Sequence, residues 1–309
     1  MTQTIHGLHH ITAVSGPPKE NYTFYNSVLG LRFNKKTVNF DDPSTYHLYY
    51  GNYNATPGSS ITFFPWRHVV QGSPSAGEAT EVHYAIPPES IHFWAERFSE
   101  LNIKLIEKIG PFGEKMLSLA DNDGMAISLV EDASAAKIET KGFGGVPDEH
   151  AIRGFYGTTL TLADTGRTGE LLKEFGWNRE ESDDSLIRYS SQPENGLGRY
   201  VYLVKNPELS GRFGRGSIHH VAFRVPDDHT QQQWRDTLTS LGFQVTPVQN
   251  RDYFRSIYFR EHGGVLFEIA TDIPGFTKDE KLENLGETLQ LPPWYEKHRE
   301  EIENQLPEL

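Results

Sequence analysis

Two distant stretches of this 309-residue sequence are built almost alike, and this internal repeat limits the fold more than any other feature. Gly7-Leu8-His9-His10-Ile11-Thr12-Ala13-Val14 and Ser217-Ile218-His219-His220-Val221-Ala222-Phe223 both read as strands, with β-branched and aromatic residues crowded into a short run. Each is followed by a helical stretch, Asn21–Val28 and Thr230–Ser240, that stops at a leucine–glycine step, Leu29-Gly30 and Leu241-Gly242. Glycine just past a helix supplies the left-handed turn that ends it. Two weaker copies lie between. One runs from Val82-His83-Tyr84 through helix Ile91–Glu100 to Leu101-Asn102, and the other from Tyr156-Gly157-Thr158 through helix Thr168–Glu174 to Phe175-Gly176. Each copy continues as short strands divided by turn residues such as Asp121-Asn122-Asp123-Gly124 and His262-Gly263-Gly264. The pattern predicts an α+β protein of four βαβββ modules that start near Leu8, Val82, Tyr156 and Ile218. An ordinary α+β chain with chance similarities would not place the same kind of helix stop after four His- or Thr-bearing strands. Residues 1–135 form an N-terminal pair of modules, 152–275 a C-terminal pair, and 276–309 a charged tail. The stretch Asp132–Arg153 joins the halves. The tail, broken at Pro292-Pro293, is expected to cross a pocket mouth, meet a partner, or stand as a solvated terminal helix.

Composition narrows the chemistry. The chain has no cysteine, which removes disulfides, thiolate zinc sites, iron–sulfur clusters and cysteine nucleophiles together. Any metal must be held by His, Asp, Glu, Tyr, amide or backbone groups. With 29 Lys+Arg against 42 Asp+Glu the net charge is −13, which argues against wrapping nucleic acid. Hydrophobic residues at 37% and aromatics at 12% are enough for a packed core. Met1–Thr12 has no apolar core of signal-peptide length, and no run of ~18 apolar residues follows, so no membrane association and a cytoplasmic setting are expected.

The chain resembles the vicinal oxygen chelate superfamily, which includes glyoxalase I, fosfomycin-resistance proteins and extradiol dioxygenases. More narrowly it resembles the ring-cleaving dioxygenases that open para-hydroquinones. The matching stretches are Leu8–Thr12, Tyr46-His47-Leu48-Tyr49-Tyr50, Thr62-Phe63-Phe64-Pro65, Ile218-His219-His220, Asn250-Arg251-Asp252-Tyr253-Phe254-Arg255-Ser256, Gly263–Glu268 and Gly275-Phe276-Thr277-Lys278-Asp279-Glu280. The resemblance implies the glyoxalase/extradiol dioxygenase fold, in which the modules form two U-shaped, barrel-like half-sheets. It also places counterparts of His9 and His219 near the site as hydrogen-bonding or proton-transfer groups, and Arg251 in the substrate pocket.

Within such a fold the first and last strands of a module line the cavity, and alternation lets every second residue face it. Alignment of the first and fourth modules makes His10 the counterpart of His220 and sets Phe64 where Glu268 stands. Two histidines and one glutamate then remain as metal ligands, with an apolar fourth position. A two-His-one-carboxylate face with open positions suits non-haem Fe(II) and O₂, and also accepts Mn(II) or Zn(II). Either histidine alone would more readily be a satisfied core residue. At equivalent repeat positions, with Glu268 inside Val-Leu-Phe-Glu-Ile, they read as ligands, since a carboxylate there needs a metal or a charge partner such as an arginine. These ligands sit in modules one and four, so those two modules are expected to pair and share the metal site. Thr12 shares the His10 face, where it could fix a ligand or water or serve only as a strand residue. Tyr258 joins the Glu268 face if the connection Glu261-His262-Gly263 has three residues. Strict alternation turns His9 and His219 away from the metal, against the resemblance, unless a bulge intervenes. Arg251 could stabilise a phenolate or stand in a surface ion pair. His47, His83 and Trp66 read as packing residues.

The expected activity is Fe(II)-dependent, extradiol-type cleavage of a hydroquinone-like aromatic diol by O₂, with His219 or Tyr258 as the neighbouring acid, in a homo-oligomer. The alternatives are a glyoxalase-type isomerase or transferase and a metal-free module that binds an aromatic ligand.

Overall fold

The computed structural model describes residues 4–66, 68–181 and 185–309. Module one holds β1 (Leu8–Ser15), helix α1 (Pro18–Tyr22, continued by a π-helical turn Thr23–Val28), β2 (Arg32–Asn39), β3 (Asp42–Gly51) and β4 (Ser60–Pro65). Module two holds β5 (Glu78–Ile86), α2 (Ile91–Glu100), β6 (Ile106–Ile109), β7 (Lys115–Ala120) and β8 (Ala126–Glu131). Module three holds β9 (Gly154–Leu162), α3 (Gly166–Glu174), β10 (Asn178–Glu181), β11 (Leu186–Ser190) and β12 (Tyr200–Lys205). Module four holds β13 (Ile218–Val225), α4 (Asp228–Ser240), β14 (Gln249–Asn250), β15 (Arg255–Arg260) and β16 (Leu266–Thr271); the tail ends in α5 (Arg299–Gln305).

The helix stops are the predicted ones. Gly30, Asn102, Gly176 and Gly242 all have left-handed φ, between 55° and 90°. α2 starts at Ile91 as predicted, whereas α1, α3 and α4 start two or three residues earlier than sequence spacing predicts. α4 opens at Asp228 because the Asp227 carboxylate accepts a hydrogen bond from the Thr230 amide, a first-turn cap. α1 opens at Pro18, where a missing N–H costs nothing.

The strands form two eight-stranded sheets, each of mixed direction. The first runs β14-β15-β16-β13-β1-β4-β3-β2 and draws on the first and fourth modules; the second runs β10-β11-β12-β9-β5-β8-β7-β6 and draws on the second and third. Within each sheet the two modules meet through their first strands, antiparallel, β1 with β13 and β5 with β9. Apolar residues of both sheets and the buried helix faces, Trp94, Leu172 and Trp234 among them, join one continuous core. Among the described residues no helix is long and apolar enough to cross a membrane.

The chain enters β13 through Gly216, whose φ is 83°. A Cβ there would lie 2.2 Å from the Asp123 carbonyl oxygen, a backbone atom that cannot step aside. Gly216→Ala is therefore expected to cost about 2 kcal/mol or more, read as a lower urea midpoint.

Candidate metal centre

β1 and β13 lie side by side in the middle of the first sheet, and their pairing slips twice. Between the pairs Leu8↔Phe223 and His10↔Ala222, β1 advances two residues against one, which leaves His9 as the extra residue. Between Thr12↔His220 and Ala13↔Ile218, β13 advances two against one, which leaves His219 extra. Each bulge thus falls on the histidine immediately before a candidate ligand. A bulged residue escapes strict alternation, which resolves the conflict over these two side chains. His9 folds back on His10, with their Nδ1 atoms 2.9 Å apart. His219 does the same to His220, Nδ1 to Nδ1 at 2.8 Å, and also lines the cavity.

The Nε2 atoms of His10 and His220 face each other at 3.3 Å, and Glu268 Oε2 lies 3.3 Å from the first and 2.9 Å from the second. One ligand atom from each of the three residues lies within 4.8 Å of the other two. Glu268 is fully buried, and its Oε1 accepts a short hydrogen bond from the Ser256 hydroxyl. Its Oε2 has no hydrogen bond of acceptable geometry, although it is buried. A buried carboxylate oxygen left without a donor, aimed between two imidazole nitrogens, is what a divalent cation would satisfy. The donor set, two nitrogens and one oxygen with open positions, fits such a cation. For His10 and His220 to offer Nε2, each Nδ1 must carry the proton and donate it to the neighbouring bulge histidine, an orientation that fixes both rings.

The electrostatics agree. Burial would push the Glu268 carboxyl up, but the convergence of His10 and His220 holds it well below the usual carboxylate range. Burial keeps His220 below the ordinary histidine value and outweighs the upward pull of the Glu268 carboxylate beside it. Burial, then His220, pushes His219 down to about 3, so that it is neutral.

A cavity of about 440 Å³ opens over His10 and His220, lined in part by His47, Phe64, Trp66, Arg251, Phe254 and Tyr258. Tyr258 shares the Glu268 face, as the longer connection predicts, but the connection is Glu261–Val265 rather than Glu261–Gly263, which sets the two directly opposite in the β15–β16 pairing; the Tyr258 ring centroid is 5.6 Å from that of His220. The Arg251 Nε donates to the Tyr258 hydroxyl at 3.2 Å, and its Nη1 meets Asp41 at 3.1 Å. Burial works against the Arg251 charge, but Tyr258 and Asp41 hold its pKa above the usual arginine value. His9 and Thr12 stand behind the ligand shell, and the Thr12 hydroxyl shares a 2.8 Å hydrogen bond with that of Thr62.

One expectation fails. Phe64 is not the counterpart of Glu268. β1 pairs Thr12 with Thr62, and β13 pairs Ala222 with Glu268; with His10 equivalent to His220, Thr62 holds the glutamate's place. The fourth position is therefore a hydroxyl, occupied by its bonds to Thr12 and, at 2.8 Å, to His47 Nε2. His47 also does more than pack, since its Nδ1 meets the Tyr49 hydroxyl at 2.9 Å while its ring lines the cavity. Sequence reasoning also missed Ser256, which orients Glu268, and Phe254, whose ring lies 4.9 Å from that of His10. Both sit in the stretch Asn250–Ser256, and Ser256 shares the period-two face of Tyr258, a signal that was available.

Residues 7–129 match the Glyoxalase/Bleomycin resistance protein/Dioxygenase superfamily. The chain is 43% identical over 307 residues, 99% of its length and 97% of the relative's, to MhqO of Bacillus subtilis (strain 168), provisionally named a ring-cleaving dioxygenase. It is 31% identical, over 98% of this chain and 96% of the relative, to the chlorohydroquinone/hydroquinone 1,2-dioxygenase of Sphingobium indicum. A crystal structure of a provisionally named dioxygenase from Bacillus subtilis superposes with a TM-score of 0.95 at 42% identity, over 100% of this chain and 98% of the other. Fold, repeat and relatives agree: the chain belongs to the glyoxalase/bleomycin resistance protein/dioxygenase superfamily.

Proposed function

We propose that the protein is an Fe(II)-dependent ring-cleaving dioxygenase that opens hydroquinone-like aromatic diols with O₂, in the extradiol manner. The observation that carries this reading is the buried His10–His220–Glu268 triad, the Oε2 of Glu268 unsatisfied, whose two histidines line an aromatic-walled cavity. The named activities of the relatives at 43% and 31% identity support it. Bound by these three residues, divalent iron would supply open positions for a diol oxygen and for O₂ and a path for electron density between them.

The chain's own residues do the rest. Phe64, Trp66 and Phe254 give the ring apolar walls and keep bulk water from the triad. Arg251, cationic and steadied by Asp41, faces the negative charge that a deprotonated diol brings into the pocket. Tyr258, held by Arg251, presents its hydroxyl beside Glu268. His219 accepts at Nδ1 from His220, so its proton is on Nε2, where it can pass to an oxygen in the cavity. The same donors accept Mn(II) or Zn(II), so the metal must be controlled in any test.

The test is anaerobic loading of metal-free protein with Fe(II), followed by an oxygen electrode and a panel of hydroquinones and catechols. Equimolar loss of O₂ and a hydroquinone, with a ring-opened acid as product, is expected. Full iron occupancy with no O₂ uptake on any diol would overturn the reading.

A further inference from the structure

Two of the stretches that carry the family resemblance, Asn250–Ser256 and Gly275–Glu280, contribute residues to no step above beyond Arg251, Phe254 and Ser256. The fold puts them in contact. The Gly275 amide donates to the Tyr253 carbonyl at 2.8 Å, and the Tyr253 hydroxyl donates to Asp279 Oδ2 at 2.8 Å. Lys278 forms an ion pair with Asp252, whose φ of 67° turns the chain tightly between Arg251 and Tyr253. Beneath them Lys35, on β2, is fully buried. Its Nζ lies 2.6 Å from Asp279 Oδ1 and 2.5 Å from Glu280 Oε2, and 4.8 Å from the centre of the Tyr253 ring.

This arrangement transmits position. A buried ammonium must keep its partners, so Lys35 fixes Asp279 and Glu280. The second oxygen of Asp279 fixes the Tyr253 hydroxyl. Tyr253 lies between two cavity residues, Arg251 and Phe254, and the Arg251 amide donates to the Phe254 carbonyl at 3.0 Å, which closes the segment on itself. Phe254 in turn packs its ring against His10 at 4.9 Å and His9 at 5.2 Å.

We propose that Lys35 and Tyr253 are positioning residues: through the strap Gly275–Glu280 they hold Arg251 and Phe254 at the substrate side of His10. Neither touches the triad, and both act through other groups. The proposal rests on the ring-cleavage reading above for its catalytic consequence.

Tyr253→Phe tests it with the least disturbance, since it removes only the hydroxyl that Asp279 receives. In metal-free full-length protein, backbone hydrogen exchange across residues 250–254 is expected to speed up about tenfold, the worth of one charge-assisted hydrogen bond, with β16 unchanged. In the Fe(II)-loaded protein the KM for a hydroquinone is expected to rise about tenfold while kcat moves less than about twofold, because uniform binding contacts are loosened. Lys35→Met is expected to show the same split more strongly, and Lys35→Arg, which keeps the charge, to restore most of it. Unchanged exchange across 250–254 in Tyr253→Phe, or faster exchange spread equally over β16, would overturn the proposal. Faster exchange across 250–254 in Tyr253→Phe, together with Fe(II)-loaded wild-type protein that consumes no O₂ with any diol, would sink the ring-cleavage reading and the catalytic half of this one, and leave the strap's hold on the loop confirmed.

Discussion

Glu268→Gln is expected to abolish tight divalent-metal binding while leaving the fold in place. The amide keeps an acceptor for the Ser256 hydroxyl, and it occupies nearly the same volume in a fully buried site. What it loses is the negative charge that faces the Nε2 atoms of His10 and His220 at 3.3 and 2.9 Å. Two neutral imidazoles then remain, and the charge balance that draws a dication out of water is gone. The effect is readable without catalysis. A cation that binds only the folded state stabilises it by about 2.7 kcal/mol at a hundredfold excess over its Kd. Wild-type protein should therefore melt several degrees higher with added Mn(II) or with anaerobic Fe(II), and Glu268→Gln should melt at one temperature with and without metal. A metal-dependent rise of equal size in the variant would contradict the assignment of Glu268. His10→Ala and His220→Ala should behave the same way, and O₂ uptake should disappear in all three.

Acid is expected to unfold the metal-free protein well above the range where carboxylates usually titrate. Burial is the first cause that holds His9, His47, His83, His219 and His220 below the ordinary histidine value. The most strongly lowered, His9, His47 and His219, stay neutral in the fold while the unfolded chain takes up a proton below pH ~6.5. The unfolded state then binds more protons, so stability falls as pH drops, by about 1.4 kcal/mol per pH unit for each histidine. Three acting together between pH 7 and pH 5 would remove about 6 kcal/mol, a large share of the stability of a typical domain. Glu268, held low, adds a loss in the same direction at still lower pH. Asp121 works the other way: burial raises it to about 6, so its protonation stabilises the fold as pH falls through that value and offsets one histidine. The urea midpoint should drop steeply from about pH 7 to about pH 5. His83→Gln, remote from the His10–His220–Glu268 cluster in the second sheet, should flatten that slope. A midpoint that holds steady over this range would show that these imidazoles titrate normally.

Parts of this structure are legible in the residues, and the parts that are not have definite causes. Helix ends are local, and so Gly30, Asn102, Gly176 and Gly242 mark them in advance. His10, His220 and Glu268 could be singled out because buried polar residues inside apolar strands require a partner. The counterpart of Glu268 was misplaced by two residues, Phe64 for Thr62, because a strand's side chains alternate with period two and a slip of two leaves the pattern intact. Only hydrogen-bonded register separates the alternatives. The bulges at His9 and His219 depend on pairing between strands some 210 positions apart, and nothing local announces them. The same holds for Lys35, an ordinary surface-type residue until Asp279 and Glu280 arrive from the far end of the chain.

The partnership of β1 with β13 also governs the order of events during synthesis. At about 5–20 residues per second, His10 leaves the ribosome roughly 10–40 s before His220, which follows 210 positions later. Throughout that interval the first module is a half-sheet with an open edge, the kind of surface on which other chains nucleate aggregates. Residues 78–205 meanwhile hold every strand of the second sheet and can close it without waiting. The His10–His220–Glu268 cluster is thus among the last features to be assembled, and a nascent chain stalled before Glu268 lacks one of its three members.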